Sequence, residues 1–293
     1  MKPKPTLQEV RDFWERNPLF VGESRAPLGS ATFFDEHRRV YVEDCFAGML
    51  DPRLFPNDRD IKVFDAGCGV GMWSAEFACQ GYRSVKACDL TMSAAITTRI
   101  RVASVKSTGE FDVFQGNIEE LPLGNEIFDH INCQGVLHHT PDPERAIREF
   151  NRILRPGGTM LVSVYFRGIP LRLWSRCGSL MSRLSVVSRI GLAGRGRAAL
   201  LTEVNTEELV RKYDGEDNPL GIAYDRNTFC QLLAPFEIEE IFLHSFPARA
   251  MPIRIPHVVH RFLDRYFGLL IFAQVRKRIA NDSVPDEESE YLH

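Results

Sequence analysis

The chain has 293 residues, of which 44% are hydrophobic and 26% charged, so it can bury a large core as one elaborated domain or two small ones. Its net charge of -3 gives no general footprint for nucleic-acid binding. No apolar stretch is long enough to span a bilayer and no signal-peptide core is present, so a cytoplasmic location is expected. Seven cysteines without a C-x-x-C pair argue against a disulfide framework and against a clustered zinc site.

The first 60 residues precede the first predicted strand and are expected to form two helices. Helical spacing in the first helix is shown by Leu7, Val10, Phe13 and Trp14. This helix breaks at the sequence NPLF, residues 17–20, and a second helix with several aromatic residues covers residues 33–45. Two interpretations are open: packing of these aromatic residues against the core, or a helical lid over a bound ligand.

Residues 61–64 predict a buried strand, which the sequence DAGCGVG at residues 65–71 turns into a helix. Glycines at alternate positions let the backbone turn sharply and approach a ligand closely. The dinucleotide fingerprint requires a small residue where this chain has Met72, so a pyrophosphate-binding loop, and with it a nicotinamide dehydrogenase, is disfavoured. A purely structural turn is the alternative.

A second predicted strand, residues 85–90, contains Asp89, which lies 24 positions after Asp65. A carboxylate at this position can accept hydrogen bonds from both ribose hydroxyls of a nucleoside. Asp89 also precedes a helical stretch that begins near Met92, so it is equally a candidate helix N-cap.

The alternation of strands and helices continues to residue 165. Residues 111–123 predict a third strand followed by a polar loop, and residues 128–139 predict a fourth strand that ends in LHH. An amphipathic helix over residues 143–154 is closed by RPGG and followed by a strand over residues 159–165.

Over about residues 61–165, these features closely resemble the UbiE-like branch of class I S-adenosylmethionine (SAM)-dependent methyltransferases. The acid-ended strand, the glycine loop, LHH, and NRILRPGG before a strand occur in the order that this family has. The resemblance implies an α/β fold with a doubly wound, Rossmann-like, seven-stranded sheet in the order 3-2-1-4-5-7-6, with the last strand antiparallel. The last two strands would lie in residues 236–242 and 267–275.

The extra segments outside this core suggest a division of the chain. We expect an N-terminal helical lid over residues 1–60, a SAM-binding core over 61–165 and a helical insertion over 166–222 that caps the acceptor substrate. The end of the core sheet, with a short insertion, would follow over 223–280. An acidic tail over 281–293 is expected to be disordered.

The resemblance also implies which residues contact the cofactor. These follow the predicted strands: Asp65, Gly67, Cys68, Gly69, Gly71, Asp89, Leu90, Asn117, Ile118 and Gln134. Asp89 would hold the ribose, and Asn117 would accept from the adenine amino group where the family most often has Asp. In the lid, His37, Arg38 or Arg39 would bind the methionine carboxylate.

A methyl group on a sulfonium is already a good electrophile, so such an enzyme mainly aligns a nucleophile and excludes water. His138 and His139, at the exit of the fourth strand, are candidate bases because neutral imidazole is available near pH 7. A supporting role for LHH is the alternative. Candidate acceptor-binding residues are Phe20, Tyr165, Tyr213 and Tyr224.

Between Arg167 and Thr202 the chain has seven arginines and no acid, interleaved with Leu, Met and Trp. This pattern suits an anionic substrate pocket, a carrier-protein docking face or an amphipathic helix on an anionic membrane surface. An ordinary solvated helix face is the fourth interpretation.

The sequence therefore predicts a SAM-dependent methyltransferase that acts on a small-molecule acceptor of secondary or cofactor metabolism, by O-, N- or C-methylation, with no nucleic-acid partner. The N-P-P-aromatic motif of amino-directed methyltransferases is absent, since residues 133–136 read CQGV. Two alternatives stay open: methylation of a tRNA, protein or carrier-bound substrate, and a SAM-binding scaffold without turnover.

Overall fold

The computed structural model describes residues 4–174, 199, 203, 205–248 and 255–279. Strands from these ranges form one sheet: β1 Lys62–Ala66, β2 Ser84–Asp89, β3 Glu110–Gln115, β4 Phe128–Gln134, β5 Leu154–Phe166, β6 Ala223–Tyr224, β7 Phe236–His244 and β8 Leu270–Lys277. Helices pack around it: α1 Leu7–Arg16, α2 Ala31–Phe46, α3 Met72–Cys79, α4 Met92–Ala103, α5 Pro143–Ile153, α6 Thr206–Lys212, α7 Arg226–Leu232 and α8 His257–Phe267.

The sheet has the order β3-β2-β1-β4-β5-β8-β7. Strands β1 to β5 pair in parallel, whereas β8 is antiparallel to both β5 and β7. The predicted Rossmann-like order, with the last strand antiparallel, is therefore confirmed. The sequence does not predict β6, which pairs with the end of β5, because two residues are too few to show an alternation of apolar and polar side chains.

Helix α5 illustrates how local sequence forms the predicted elements. The Asp142 side chain accepts from the backbone N–H of Arg145 at 3.0 Å, and Pro143 begins the first turn, where its missing N–H costs nothing. One face of the helix is buried against the sheet: Ala146, Ile147, Phe150 and Ile153. The amphipathic pattern thus fixes which face of the helix covers the strands.

The N-terminal helices pack on the same core. A capping box between Thr6 and Glu9 begins α1, and α2 buries much of its length. Between the two helices, Phe20 adopts a left-handed conformation with φ 58°. Its ring packs against those of Tyr41 and His37, with centroids 5.2 and 6.1 Å apart. Phe20 is therefore part of this aromatic cluster.

Much of the predicted insertion and the predicted tail, residues 281–293, lie outside the described residues. The same holds for five of the arginines: Arg176, Arg183, Arg189, Arg195 and Arg197. Arg167 lies 3.8 Å from Glu207 in an ion pair, and Arg172 donates to the Arg167 carbonyl. Within the described ranges, no helix combines the length and apolarity needed to cross a membrane.

Candidate functional site

A pocket with about 830 Å³ of empty space opens at the carboxyl edge of the parallel strands. Its walls come from the glycine loop after β1, the ends of β2, β3 and β4, and helix α1. Seven of the predicted cofactor residues line it: Gly67, Gly69, Asp89, Leu90, Asn117, Ile118 and Gln134. Open α/β sheets bind their ligands at this edge.

Each glycine of the loop has a positive φ, but the three face different surroundings. A Cβ on Gly67 would lie 2.4 Å from a Val136 methyl group, and one on Gly71 would lie 2.9 Å from the backbone of Thr98. A Cβ on Gly69 would meet nothing within 4 Å. Gly67 and Gly71 are thus required by packing, while the missing side chain of Gly69 leaves room for a ligand.

Asp65 and Cys68 lie behind the loop rather than on the pocket wall. Asp65 is 1% exposed, and Cys68 is also buried, with its Sγ 3.4 Å from the Thr98 hydroxyl. Gly71 also packs closely against Thr98, which leaves no room for a Cβ atom on this glycine. These three predicted cofactor residues therefore support the loop from the protein side.

Asp89 supports the loop and also lines the pocket. One carboxylate oxygen accepts from the backbone N–H of Gly69 at 2.9 Å, and the other accepts from the N–H and hydroxyl of Thr91 at 2.9 and 2.8 Å. A carboxylate has about four lone-pair sites, so Asp89 retains acceptor capacity. The N-cap of α4 is Thr91, whose side chain accepts from Ala94, so the N-cap interpretation of Asp89 is wrong.

A buried relay of polar side chains connects β1 to the pocket. The Asp65 carboxylate accepts from the Ser74 hydroxyl at 2.5 Å and from Asn132 Nδ2 at 2.8 Å. Asn132 Oδ1 in turn accepts from Gln134 Nε2 at 2.7 Å. Because Asp65 is buried, its pKa is raised to about 6, against the opposing effect of these two donors.

The relay fixes the orientation of both amides. Asn132 must present its N–H group to the carboxylate, so its oxygen faces Gln134, which then presents its own N–H group. Gln134 Oε1 is left buried without a hydrogen-bond partner among the described residues. A buried acceptor without a donor costs about 1–3 kcal/mol, so a ligand that supplies a donor would be stabilised here.

Sequence reasoning missed Asn132 and Ser74. A signal for Asn132 was present, because Asn132 and Gln134 are polar residues two positions apart in a strand and therefore lie on the same face. The register of the sheet, which pairs Asp65 with Asn132, supplies the remaining information.

Asn117 lies at the other end of the pocket, after β3. Its Oδ1, which the resemblance assigns to the adenine amino group, accepts from the backbone N–H of Glu119 at 3.0 Å. Glu119 accepts from the backbone N–H of Asp142 at 2.8 Å and also lines the pocket. The loop after β3 is therefore held by its own side chains.

Helix α1 and the turn after it form an apolar wall. The residues that contribute are Leu7, Val10, Trp14, Pro18 and Leu19. The Trp14 ring lies edge-on to that of His139, with centroids 4.9 Å apart. Helix α1 thus forms one wall of the pocket.

The three lid residues proposed for the methionine carboxylate lie elsewhere. His37 is 1% exposed, and its pKa is lowered to about 3 by burial and by the nearby charge of Arg101. Arg38 forms an ion pair with Glu76 at 2.5 Å, and Arg39 is exposed. None of the three is among the described residues that line the pocket.

The two histidines after β4 differ in position. His139 lines the pocket; its Nδ1 donates to the Leu220 carbonyl at 2.6 Å, and its Nε2 lies 3.0 Å from Asp214 Oδ2. The same carboxylate oxygen accepts from the Tyr165 hydroxyl at 2.7 Å. His138 is buried behind this group, and its Nδ1 accepts from the Tyr165 backbone N–H. Of the two, only His139 lines the pocket.

The predicted acceptor residues do not converge on this pocket. Tyr165 and Tyr213 line a second cavity, whereas Phe20 belongs to the core cluster described above. Tyr224 packs against Phe229, and burial raises the pKa of the Tyr224 phenol to about 12. In the part of the chain that the structure describes, no three His, Cys, Asp or Glu side chains lie close enough together to hold a metal ion.

Residues 64–162 match the profile of a methyltransferase domain family. The chain is 26% identical over 178 residues to an uncharacterized chloroplastic methyltransferase of Arabidopsis thaliana, covering 57% of this chain and 50% of the relative. It is 30% identical over 119 residues to a ubiquinone biosynthesis O-methyltransferase of Aliivibrio fischeri, covering 40% and 50%. The chain thus spans about half the length of these curated relatives.

A solved SAM-dependent methyltransferase from Methanosarcina mazei has the same fold. It superposes with a TM-score of 0.54 at 20% sequence identity, covering 78% of this chain and 99% of that one. The family match covers β1 through most of β5, which includes the glycine loop, Asp89 and the polar relay. Residues 64–162 therefore match a methyltransferase domain, and the fold is that of class I SAM-dependent methyltransferases.

Proposed function

We propose that the pocket binds SAM and that the protein transfers its methyl group to a small-molecule acceptor, with O-methylation as the favoured reaction. The observation that carries this proposal is the hydrogen bond from the Gly69 N–H to Asp89 at 2.9 Å. It joins the open glycine position and the carboxylate into one wall of the pocket.

Three features of that wall fit SAM. The empty space beside Gly69 admits a part of the ligand that lies against the protein backbone. Asp89 can accept hydrogen bonds from ribose hydroxyls. Gln134 Oε1 lacks a donor, which the ammonium group of the methionine part would supply. Each of these features suits one part of the cofactor.

When bound, SAM supplies a methyl group on a sulfonium, which needs no further activation. The residues of this chain would orient the cofactor through Asp89 and Gln134 and exclude water with the apolar face of α1. His139, which lies on the pocket wall and contacts Asp214, is placed to hold the proton that a hydroxyl acceptor releases.

The similarity to a ubiquinone biosynthesis O-methyltransferase supports a small acceptor and a hydroxyl nucleophile. The alternatives are a tRNA, protein or carrier-bound acceptor, and a scaffold that binds SAM without turnover. The predicted surface contacts of the arginine-rich segment with a membrane or carrier protein rest mainly on residues outside the described ranges.

The test is a transfer assay with methyl-labelled SAM and a desalted cell lysate supplemented with its small-molecule extract. After the reaction, label is counted separately in organic-soluble small molecules, RNA and protein. Label in the small-molecule fraction, lost with Asp89→Ala, is the expected result. Label in RNA or protein would favour the macromolecular alternative, and SAM binding without label in any fraction would favour the scaffold.

A further inference from the structure

A second cavity, with about 650 Å³ of empty space, lies at the same edge of the sheet as the cofactor pocket. Tyr165, near the carboxyl end of β5, and Phe246, which follows β7, line it. Leu269 lines it immediately before β8. Since an antiparallel strand begins where its parallel neighbours end, this apolar cavity lies over β5, β8 and β7, next to the pocket over β1, β2 and β4.

The wall of the apolar cavity consists of Tyr, Phe, Trp, Pro, Leu and Val side chains among the described residues. Two of its polar groups already have partners in the protein. The Tyr165 hydroxyl donates to Asp214 at 2.7 Å, and Trp174 Nε1 donates to the Glu203 carbonyl at 2.8 Å. A polar ligand would lose its water without gaining hydrogen bonds here, whereas an apolar ligand would be stabilised by burial.

A cluster of three polar side chains separates the apolar cavity from the cofactor pocket. Tyr165 faces the cavity, His139 faces the pocket, and both contact Asp214 Oδ2, at 2.7 and 3.0 Å. In a wall that is otherwise apolar, this cluster is where a hydroxyl group finds hydrogen-bond partners. A ligand whose body fills the cavity would therefore present its polar end toward the cofactor pocket.

We infer that the apolar cavity holds the body of the acceptor, an amphiphilic small molecule with an aryl or alkyl body and one hydroxyl group at the His139–Asp214–Tyr165 cluster. The inference rests on the proposed methyl transfer. The hydroxyl oxygen bonds to the methyl carbon as the methyl–sulfur bond breaks, and the electron pair of that bond stays on sulfur. The hydroxyl proton passes to the His139–Asp214 pair, in which His139 lines the cofactor pocket.

The test uses 4-alkylphenols, from ethyl to octyl, titrated into the protein by calorimetry with and without saturating S-adenosylhomocysteine (SAH). The expected affinity rises about fourfold for each added methylene until the cavity is full. Leu209→Trp, which fills the cavity, should weaken binding of the longer phenols by roughly tenfold or more while SAH affinity stays within about twofold. Phe246→Ala, which enlarges it, should move the plateau to longer chains.

Leu28→Trp, at a leucine that is 47% exposed and lines neither cavity, is the matched control and should bind like the wild type. The inference would be overturned if alkylphenol affinity did not depend on the length of the alkyl chain, or if both cavity variants left that affinity unchanged. The two proposals fail separately. SAH binding without alkylphenol binding contradicts the cavity assignment alone, while alkylphenol binding of the expected pattern without SAH binding contradicts the cofactor assignment alone.

Discussion

Gln134 Nε2 donates to Asn132 Oδ1 over 2.7 Å, and this single hydrogen bond decides which end of the Gln134 amide is left without a partner. The hydrogen-bond chain ends at the buried Asp65 carboxylate, which can only accept hydrogen bonds while it is ionised. Each amide in the chain therefore points its N–H group toward Asp65. The orientation of the Gln134 amide, in a residue that lines the pocket, is thus set by a residue that does not. This arrangement gives the first prediction.

Gln134→Met should weaken SAH binding by roughly 10- to 100-fold, because a hydrogen bond to a charged group contributes about 1.5–3 kcal/mol. The desamino analogue of SAH, which lacks the ammonium group, should bind both proteins with nearly equal affinity. Calorimetric titration of each protein with each ligand gives the coupling between side chain and ammonium. Equal losses for the two ligands would show that Gln134 has a packing role only.

The raised pKa of Asp65 makes stability depend on pH. Burial moves this pKa from 3.8 to about 6, so the folded state holds a proton between these values that the unfolded chain releases. Below pH 3.8 Asp65 is protonated in both states and costs nothing, whereas the cost grows as the pH rises and reaches about 3 kcal/mol above pH 6. Asp65→Asn should raise the thermal midpoint at pH 7.5 and raise it about a third as much at pH 4.5, while weakening SAH binding.

Asp112→Asn is the control with the opposite sign. Its carboxylate forms a 2.8 Å ion pair with Lys86, which holds the pKa of Asp112 below its usual range. Its small contribution is present above the unfolded pKa and lost as the pH falls, so this variant should not gain stability at pH 7.5. Equal thermal midpoints for Asp65→Asn and the wild type at pH 7.5 would show that the buried Asp65 carboxylate does not lower the stability of the fold.

Asp89→Ala should weaken SAM and SAH binding by about 1–3 kcal/mol, since hydrogen bonds between ribose hydroxyls and a charged group are lost. Asp60→Ala is the control, because Asp60 is exposed and pairs with Arg83 at 3.5 Å, away from the pocket. Calorimetry on folded variants gives the comparison. Unchanged affinity in Asp89→Ala would take this carboxylate out of the cofactor site.

Gly69→Ala and Gly81→Ala separate ligand space from backbone strain. Both glycines have positive φ, 53° and 76°, and an added Cβ meets no atom within 4 Å in either case. Both variants should lose about 1–2 kcal/mol of stability through the left-handed conformation. Only Gly69→Ala should lose SAH affinity, by roughly tenfold or more, because only Gly69 lines the pocket. Equal SAH affinity in the two variants would show that the glycine loop is only a structural turn and does not contact the cofactor.

The core sheet was predictable because each element has a local signal: buried strands, a glycine turn and the amphipathic pattern of α5. The pocket followed from the rule that parallel strands present their carboxyl ends at one edge. The acceptor residues were not predictable in this way. Phe20 turns into the core through a left-handed φ, and Tyr165 and His139 share a contact with Asp214, which lies 49 positions beyond Tyr165 in the chain. Such contacts depend on tertiary structure, which periodicity does not encode.

The central claim is that the pocket beside Gly69 and Asp89 is a SAM site. The most direct test is a calorimetric titration of the wild-type protein with SAH and, separately, with NADH. The account predicts saturable binding of one SAH per chain and no binding of NADH, because Met72 occupies the position where a dinucleotide loop needs a small residue. Saturable NADH binding, with no heat from SAH, would contradict it.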